Sequence, residues 1–160
     1  MSYIDQHLMS GEKIVHRTQL HWVVFLWPII WFAVAIWLFS MGGESAVFFG
    51  GVILLFIALP MLLNAFVARR TSEFAVTNKR ILIKTGLISR HSLETLLNKV
   101  EGIGVGQGIL GRILDYGTIV VSGTGGSKEP FRRIAHPMQF HRQVQEQIAA
   151  IEEWRRPRNV

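Results

Sequence analysis

The sequence predicts an α+β protein: a two-helix transmembrane hairpin, then six or seven short antiparallel strands curled into a barrel or sandwich, capped by a C-terminal α-helix. Three observations carry that prediction. Two charge-free apolar segments, Trp22 to Phe39 and Ala46 to Ala68, are separated only by Ser40-Met41-Gly42-Gly43-Glu44-Ser45. From Glu73 the apolar period changes from helical to two, as strands require. After Pro137 one amphipathic segment restores the helical period.

At about 1.5 Å per helical residue, segments of 18 and 23 residues can each cross a hydrocarbon core of roughly 30 Å. The chain of 160 residues, 49% apolar, then has room for one further domain. The expected division is residues 1–21 as a cytoplasmic N-terminal segment, 22–68 as the hairpin and 69–160 as a cytoplasmic domain. Net charge is +6, and from Arg69 onward there are 15 basic and 8 acidic residues. The polar half therefore faces something negative, and for a tethered domain that is the anionic inner leaflet. The charge is scattered along strands and turns instead of gathered on one helix with aromatic neighbours, so nucleic acid is not the expected partner. With no cysteine, disulfides and thiol chemistry are excluded.

Met1 to His21 lacks the short basic region and short apolar core of a cleavable signal and is expected to stay attached. Leu8 to Glu12 reads as a short helix or turn, and Lys13 to Leu20 as an edge strand. His16 and His21 are read as exposed histidines near the headgroups rather than a metal pair. Trp22, Trp27, Trp31 and Trp37 supply aromatic anchors, and Pro28 falls where it does no more than kink the first helix. Lys13 and Arg17 precede the hairpin and Arg69-Arg70 follow it, while the loop has no positive charge. By the positive-inside rule both termini face the cytoplasm.

Gly42, Ala46 and Gly50 recur every four residues, a spacing that lets helix backbones approach closely within the hairpin or between copies of it. Asn64 and Pro60 mark a polar or kinked point near the cytoplasmic end. No ionisable residue lies inside the apolar segments, which argues against a transporter.

Glu73 to Thr77 and Arg80 to Thr85 read as strands joined by Asn78-Lys79, a tight hairpin. Leu87 to Thr95, Val100 to Val105, Thr118 to Ser122 and Pro130 to Ile134 follow as strands, with a short helix over Ile109 to Leu114. In the last helix Phe140, Val144, Ile148, Ile151 and Trp154 form one apolar stripe.

Four motifs then carry a resemblance. Thr77-Asn78-Lys79-Arg80-Ile81-Leu82, Gly86-Leu87-Ile88-Ser89-Arg90, Asn98-Lys99-Val100-Glu101-Gly102-Ile103 and Gly111-Arg112-Ile113-Leu114-Asp115-Tyr116-Gly117-Thr118-Ile119 resemble the bacterial pleckstrin-homology (PH) domain of YdbS-type membrane proteins. Gly11-Glu12 upstream of an apolar hairpin is similar to that family's entrance. The resemblance implies a PH-like split barrel with a C-terminal helix, carried under two membrane helices, and a binding or assembly module that self-associates. Eukaryotic pleckstrin domains bind phosphoinositides around a long first hairpin loop; here that loop is only Asn78-Lys79, although Lys79, Arg80, Lys84 and Arg90 lie nearby.

Catalytic motifs fail when tested. Gly106-Gln107-Gly108-Ile109-Leu110-Gly111 is a literal GxGxxG, but it lacks the long crossover helix and the acid about 20 residues on that a dinucleotide fold needs. Its glycines are expected to serve a bend where only glycine tolerates positive φ. Gly123 to Lys128 is a hairpin turn instead of a phosphate loop. His136 and His141 diverge around a helix and cannot chelate one metal, and Ser122, Ser127 and His136 lack an orienting third group.

No cofactor and no metal are expected. The leading reading is a non-enzymatic membrane-anchored module binding a protein partner, itself or anionic lipid. Its candidate lipid- or partner-binding residues are Arg69, Arg70, Lys79, Arg80, Lys84 and Arg90, and its candidate helix-packing residues Gly42, Ala46 and Gly50. The alternatives are an accessory subunit of a larger membrane complex, or a headgroup-level hydrolase built on Glu73, His91 and Glu94.

Overall fold

In the computed structural model, residues 4, 8–41, 45–86, 91–124 and 128–155 are described. Strand β1 spans Ile14–Gln19 and is followed by a 3-10 turn at Trp22–Phe25 and helices α1 (Leu26–Ser40) and α2 (Ser45–Thr71). Then come β2 (Glu73–Thr77), β3 (Arg80–Thr85), β4 (His91–Leu96), a 3-10 turn at Leu97–Lys99 and β5 (Val100–Gly106). Helix α3 (Ile109–Ile113), β6 (Tyr116–Gly123), β7 (Lys128–Ala135) and helix α4 (Pro137–Arg155) complete the order. Both strands of the first predicted hairpin occur with the expected limits. Of the expected strand Leu87 to Thr95, the part before His91 lies outside the described residues.

The strands form two antiparallel sheets, ordered β1-β2-β3-β4 and β5-β6-β7, which do not close into a continuous barrel. Strand β1 precedes the apolar helices yet pairs with β2, so the helical hairpin is an insertion between two neighbouring strands. Gln19 sits opposite Glu73, and this places both ends of the hairpin side by side at one end of the domain. A bridge from Leu20 to Ile134 and a hydrogen bond from Thr18 Oγ1 to the Ala135 carbonyl (2.7 Å) tie the two sheets together at that same end.

Phe74, Val76, Ile81, Ile83, Leu97, Ile119, Val121, Phe131, Ile134, Phe140 and Val144 form the core between the sheets and α4. Burying each contributes about 1.5–3 kcal/mol before opposing entropy. The stripe on α4 ends at Ile151; Trp154 is 92% exposed and takes no part. Strands β2 and β3 are buried on both faces, because Ile4 and Ile14 cover Ala75 and Leu82 on the side away from the core. That second cover explains why Ile81-Leu82-Ile83 reads as a continuous apolar run within β3.

Helices α1 and α2 pack through small residues. Ala35 and Ala58 are fully buried, and a Cβ on Gly51 would lie 3.3 Å from the Ala35 carbonyl oxygen and 3.4 Å from the Phe39 nitrogen. A Cβ on Gly50 would meet nothing within 4 Å among the described residues. Gly42 and the Ala46 side chain lie outside the described residues. The remaining surface of the hairpin is apolar, with Trp27, Phe49 and Phe56 exposed by 62, 61 and 75%. Trp22–Ser40 and Val47–Thr71, of mean hydropathy 2.3 and 2.4, are long and apolar enough to cross a membrane. Pro28 is tolerated in the first turn of α1, where no intrahelical N–H partner is lost, and α2 continues through Pro60.

The glycines of the GxGxxG stretch have a different reason from the one the sequence predicts. None of them has positive φ. A Cβ on Gly111 would stand 2.6 Å from the Tyr116 carbonyl oxygen, so close approach dictates glycine there. The left-handed residue at this corner is Asp115 (φ 56°), immediately after the C-cap of α3, where a short polar side chain tolerates it.

Candidate functional site: the seam between the apolar hairpin and the sheets

The chain enters the hairpin at His21 and leaves it at Thr71, and the residues around these two points form the site. Arg69 and Arg70 are exposed in the last turn of α2, where positive side chains complement the helix dipole. Each guanidinium lies over an aromatic ring: Arg69 at 5.8 Å from the centroid of Phe25, Arg70 at 5.5 Å from that of Phe66. These contacts orient the cations without neutralising them. Gln19, Ser72 and Glu73 complete a groove of about 380 Å³ around them. A second groove of about 300 Å³ includes Leu20, Trp27, Met61, Asn64 and Arg133. Asn64 thus lines a cavity at the domain-proximal end of α2.

At the chain's entry into the hairpin lies a cluster the sequence did not reveal. His21 is buried, its ring stacked on Tyr116 and tilted against Trp22, both at 5.4 Å. Its Nδ1 accepts from Val23 N, and its backbone N–H donates to the Arg133 carbonyl at 2.8 Å. His136 Nδ1 is 2.5 Å from Asp115 Oδ2, and both residues have left-handed backbones, as does Arg133 (φ 60°). Three such non-glycine residues at one seam are local strain that the surrounding pairing holds in place. Burial, with the nearby charges of His136 and Arg69, pushes the His21 pKa down against the opposing pull of Asp115 and the Leu114 carbonyl. His16 behaves alike: burial first, then His136, lowers its pKa. Its ring packs edge-on to Phe140 at 6.3 Å, and its Nε2 is buried with no hydrogen-bond partner among the described residues. The expectation of two exposed histidines is therefore corrected: both belong to the packing between the sheets, α4 and the hairpin entrance.

Arg80 also departs from expectation. It lies at the opposite end of β2–β3 and is buried, so it is withdrawn from any binding surface. Its Nε and Nη2 each donate to Glu12 at 3.0 Å, and Nη1 donates to Glu94 at 2.7 Å. Thr77 Oγ1 donates to Glu12 Oε1 and Met9 N to Oε2, both at 2.7 Å. Burial works to raise the Glu12 pKa, but Arg80, Met9 and Thr77 together hold it below the ordinary carboxylate value. Hydrogen bonding to Glu12 raises the Arg80 pKa against the effect of burial.

The neighbouring turn is engaged too. Lys79 Nζ donates to the Ser10 carbonyl at 2.8 Å, and Asn78 exchanges bonds with Lys13 and Gly11. Residues Ser10–Lys13 thus occupy the place beside the short hairpin turn. Lys84 is half-buried opposite Glu73 and engaged in interactions of its own; Arg90 lies outside the described residues. Of the five predicted cations among the described residues, Arg69 and Arg70 are the two that line the seam groove.

The two acids of the hydrolase alternative do not converge. Glu94 is bound to Arg80, Glu73 stands at the hairpin exit, and the His91 side chain lies outside the described residues. His136 does have an orienting carboxylate in Asp115, but Ser122 lies at the other end of β6, opposite Lys128, and Ser127 lies outside the described residues. A usable signal for the seam was present: Phe66 and Arg70 are four apart on one helix and must share a face. Tyr116, Asp115 and Arg133 had none, because their partners come from the other end of the chain.

A family model described as bacterial PH domain matches residues 15–148. No curated protein and no solved structure matches the chain.

Proposed function

From the premise that the chain belongs to the bacterial PH domain family, we propose that it is a non-enzymatic, membrane-anchored binding module whose seam groove receives anionic phospholipid headgroups. The hairpin spans the bacterial cytoplasmic membrane, both termini are cytoplasmic, and the two sheets rest against the inner leaflet. The observation that carries this reading is the pair Arg69 and Arg70, exposed at the end of a charge-free apolar helix and braced over Phe25 and Phe66. In such a position each cation contributes about 1 kcal/mol toward an anionic surface, and the aromatic rings suit the headgroup level. The insertion of the hairpin between β1 and β2 supports the reading mechanically, since two covalent connections hold the groove at a fixed height.

The test is a lipid titration of detergent-solubilised full-length protein followed by native mass spectrometry. Phosphatidylglycerol is expected to add at lower concentration than phosphatidylcholine, and Arg69→Gln/Arg70→Gln to erase the difference. Equal retention of both lipids by the unaltered protein would sink the proposal. A second reading, association between copies, is favoured by the open face at Gly50, next to the Gly51 face already used within the hairpin. Its check is the mass of the protein–detergent complex.

A further inference from the structure

We propose that α3 is an apolar wedge: Ile109, Leu110 and Ile113 enter the headgroup region of the same bilayer that the hairpin spans. The inference rests on the membrane reading above and adds a third point of contact to it.

Ile109, Leu110 and Ile113 are exposed by 84, 65 and 73%. Single exposed apolar residues are ordinary, but three on a five-residue helix make a patch. The helix is held with this face outward. Gly111 is its buried point, against the Tyr116 carbonyl, and Gln107 Nε2 donates to that carbonyl at 3.2 Å and to the Gly111 carbonyl at 3.4 Å. No side chain larger than glycine fits on the inner side, so the isoleucines cannot turn inward without unmaking the corner.

Position decides the occupant. The chain leaving α3 runs directly through Leu114 and Asp115 to Tyr116, the residue whose ring stacks on His21. His21 is the last residue before the first apolar segment, and the Leu114 carbonyl engages it. The helix carrying the patch therefore ends beside the point where the chain enters the hairpin, and Trp22, the next residue along, is 45% exposed. Arg112 is exposed on the same helix, and Arg133 lines the adjacent groove with Trp27. Large apolar side chains interleaved with arginines, level with the start of a membrane span, have the composition of an element that lies in the interface.

Because the chain contains no cysteine, single reporters can be placed cleanly. Full-length Ile109→Cys, Ile113→Cys, Phe56→Cys and Thr124→Cys would be labelled with an environment-sensitive fluorophore. They would be placed in phosphatidylcholine–phosphatidylglycerol nanodiscs carrying spin-labelled lipid at a shallow or deep acyl position. Burial of the wedge at the headgroup–acyl boundary predicts a blue shift and about a twofold loss of emission from 109 and 113 with the shallow quencher. Phe56→Cys, in the middle of α2, is expected to respond to the deep quencher, and Thr124→Cys, at the far end of β6, to neither. If 109 and 113 are unquenched while 56 is quenched, the wedge is wrong and the membrane reading stands. If 56 is also unquenched, the membrane reading falls and the wedge with it. A blue shift at 109 without quenching, rising with protein density, would assign the patch to a second copy and overturn the proposal.

Discussion

Arg80 and the pair Arg69–Arg70 lie at opposite ends of the β2–β3 hairpin and do opposite things with the same side chain. Arg80 is buried and shared between two carboxylates, so its charge is spent inside the fold. Arg69 and Arg70 rest on rings that orient them and leave their charge outward. The chemistry of the neighbours, not the residue type, separates a cation enclosed in the fold from one left facing outward. A guanidinium enclosed by acids costs too much to desolvate unless they stay in place.

The largest effect that could break this comparison is on stability. Arg80→Met leaves Glu12 buried without its partner and is expected to cost about 3–5 kcal/mol. Urea unfolding of the full-length protein in detergent, followed by circular dichroism, would measure it. Glu12→Leu/Arg80→Met, which removes both charges, is expected to recover much of that loss. In the same assay Arg69→Gln/Arg70→Gln should change stability by less than about 0.5 kcal/mol.

Next in size is binding. Removing both seam arginines is expected to weaken phosphatidylglycerol association by about 2 kcal/mol at low salt, roughly thirtyfold, with the difference shrinking as salt is added. Loss of affinity without loss of stability sharpens the contrast; loss of both would make the pair structural after all.

The hairpin offers a smaller version of the contrast in two adjacent glycines. Gly51→Ala presses a methyl group into the Ala35–Phe39 backbone and is expected to cost about 1–3 kcal/mol in a detergent-exchange unfolding titration. Gly50→Ala, facing open space, should be neutral in that titration. A drop in complex mass in Gly50→Ala alone would place the contact between copies there.

The smallest expected effect is on pH dependence. His16 and His21 have pKa values below the ordinary histidine value of about 6.5. The unfolded chain therefore binds protons more readily in this range. The stability tied to the neutral rings is complete above the unfolded pKa and is lost as pH falls through the native one. Glu12, also lowered, acts in the same direction in more acidic solution. Chemical-denaturation midpoints taken from pH 7.5 to 5.5 should decline, and His16→Phe should flatten the decline. A midpoint that rises on acidification would contradict the buried placement of both rings.

Much of the fold was legible because its signals are local. Glu73–Thr77 and Arg80–Thr85 were bounded by their short apolar runs and by Asn78-Lys79, and α4 by Pro137 and the stripe from Phe140 to Ile151. Trp154 was misplaced because periodicity continues past the point where the sheets end. The candidate site was half legible: Arg69 and Arg70 stand out at the end of an apolar helix. Arg80 could not be told from them, since its acids come from 68 residues before it and 14 after it.

The sequence by itself determined the elements and their order: two charge-free helices, short strands after them, one amphipathic helix at the end and the basic excess beyond the hairpin. Each follows from spacing within a few residues, where the backbone period and the apolar pattern are read together. Only the tertiary structure decided that β1 is a partner of β2, so that the hairpin is an insertion in a sheet. It alone decided which arginine is buried, which glycine is pressed between helices, and that α3 turns its isoleucines outward beside the hairpin entrance. Those outcomes depend on contacts between distant parts of the chain, where burial, desolvation and steric closeness are properties of the assembled fold and of no local stretch.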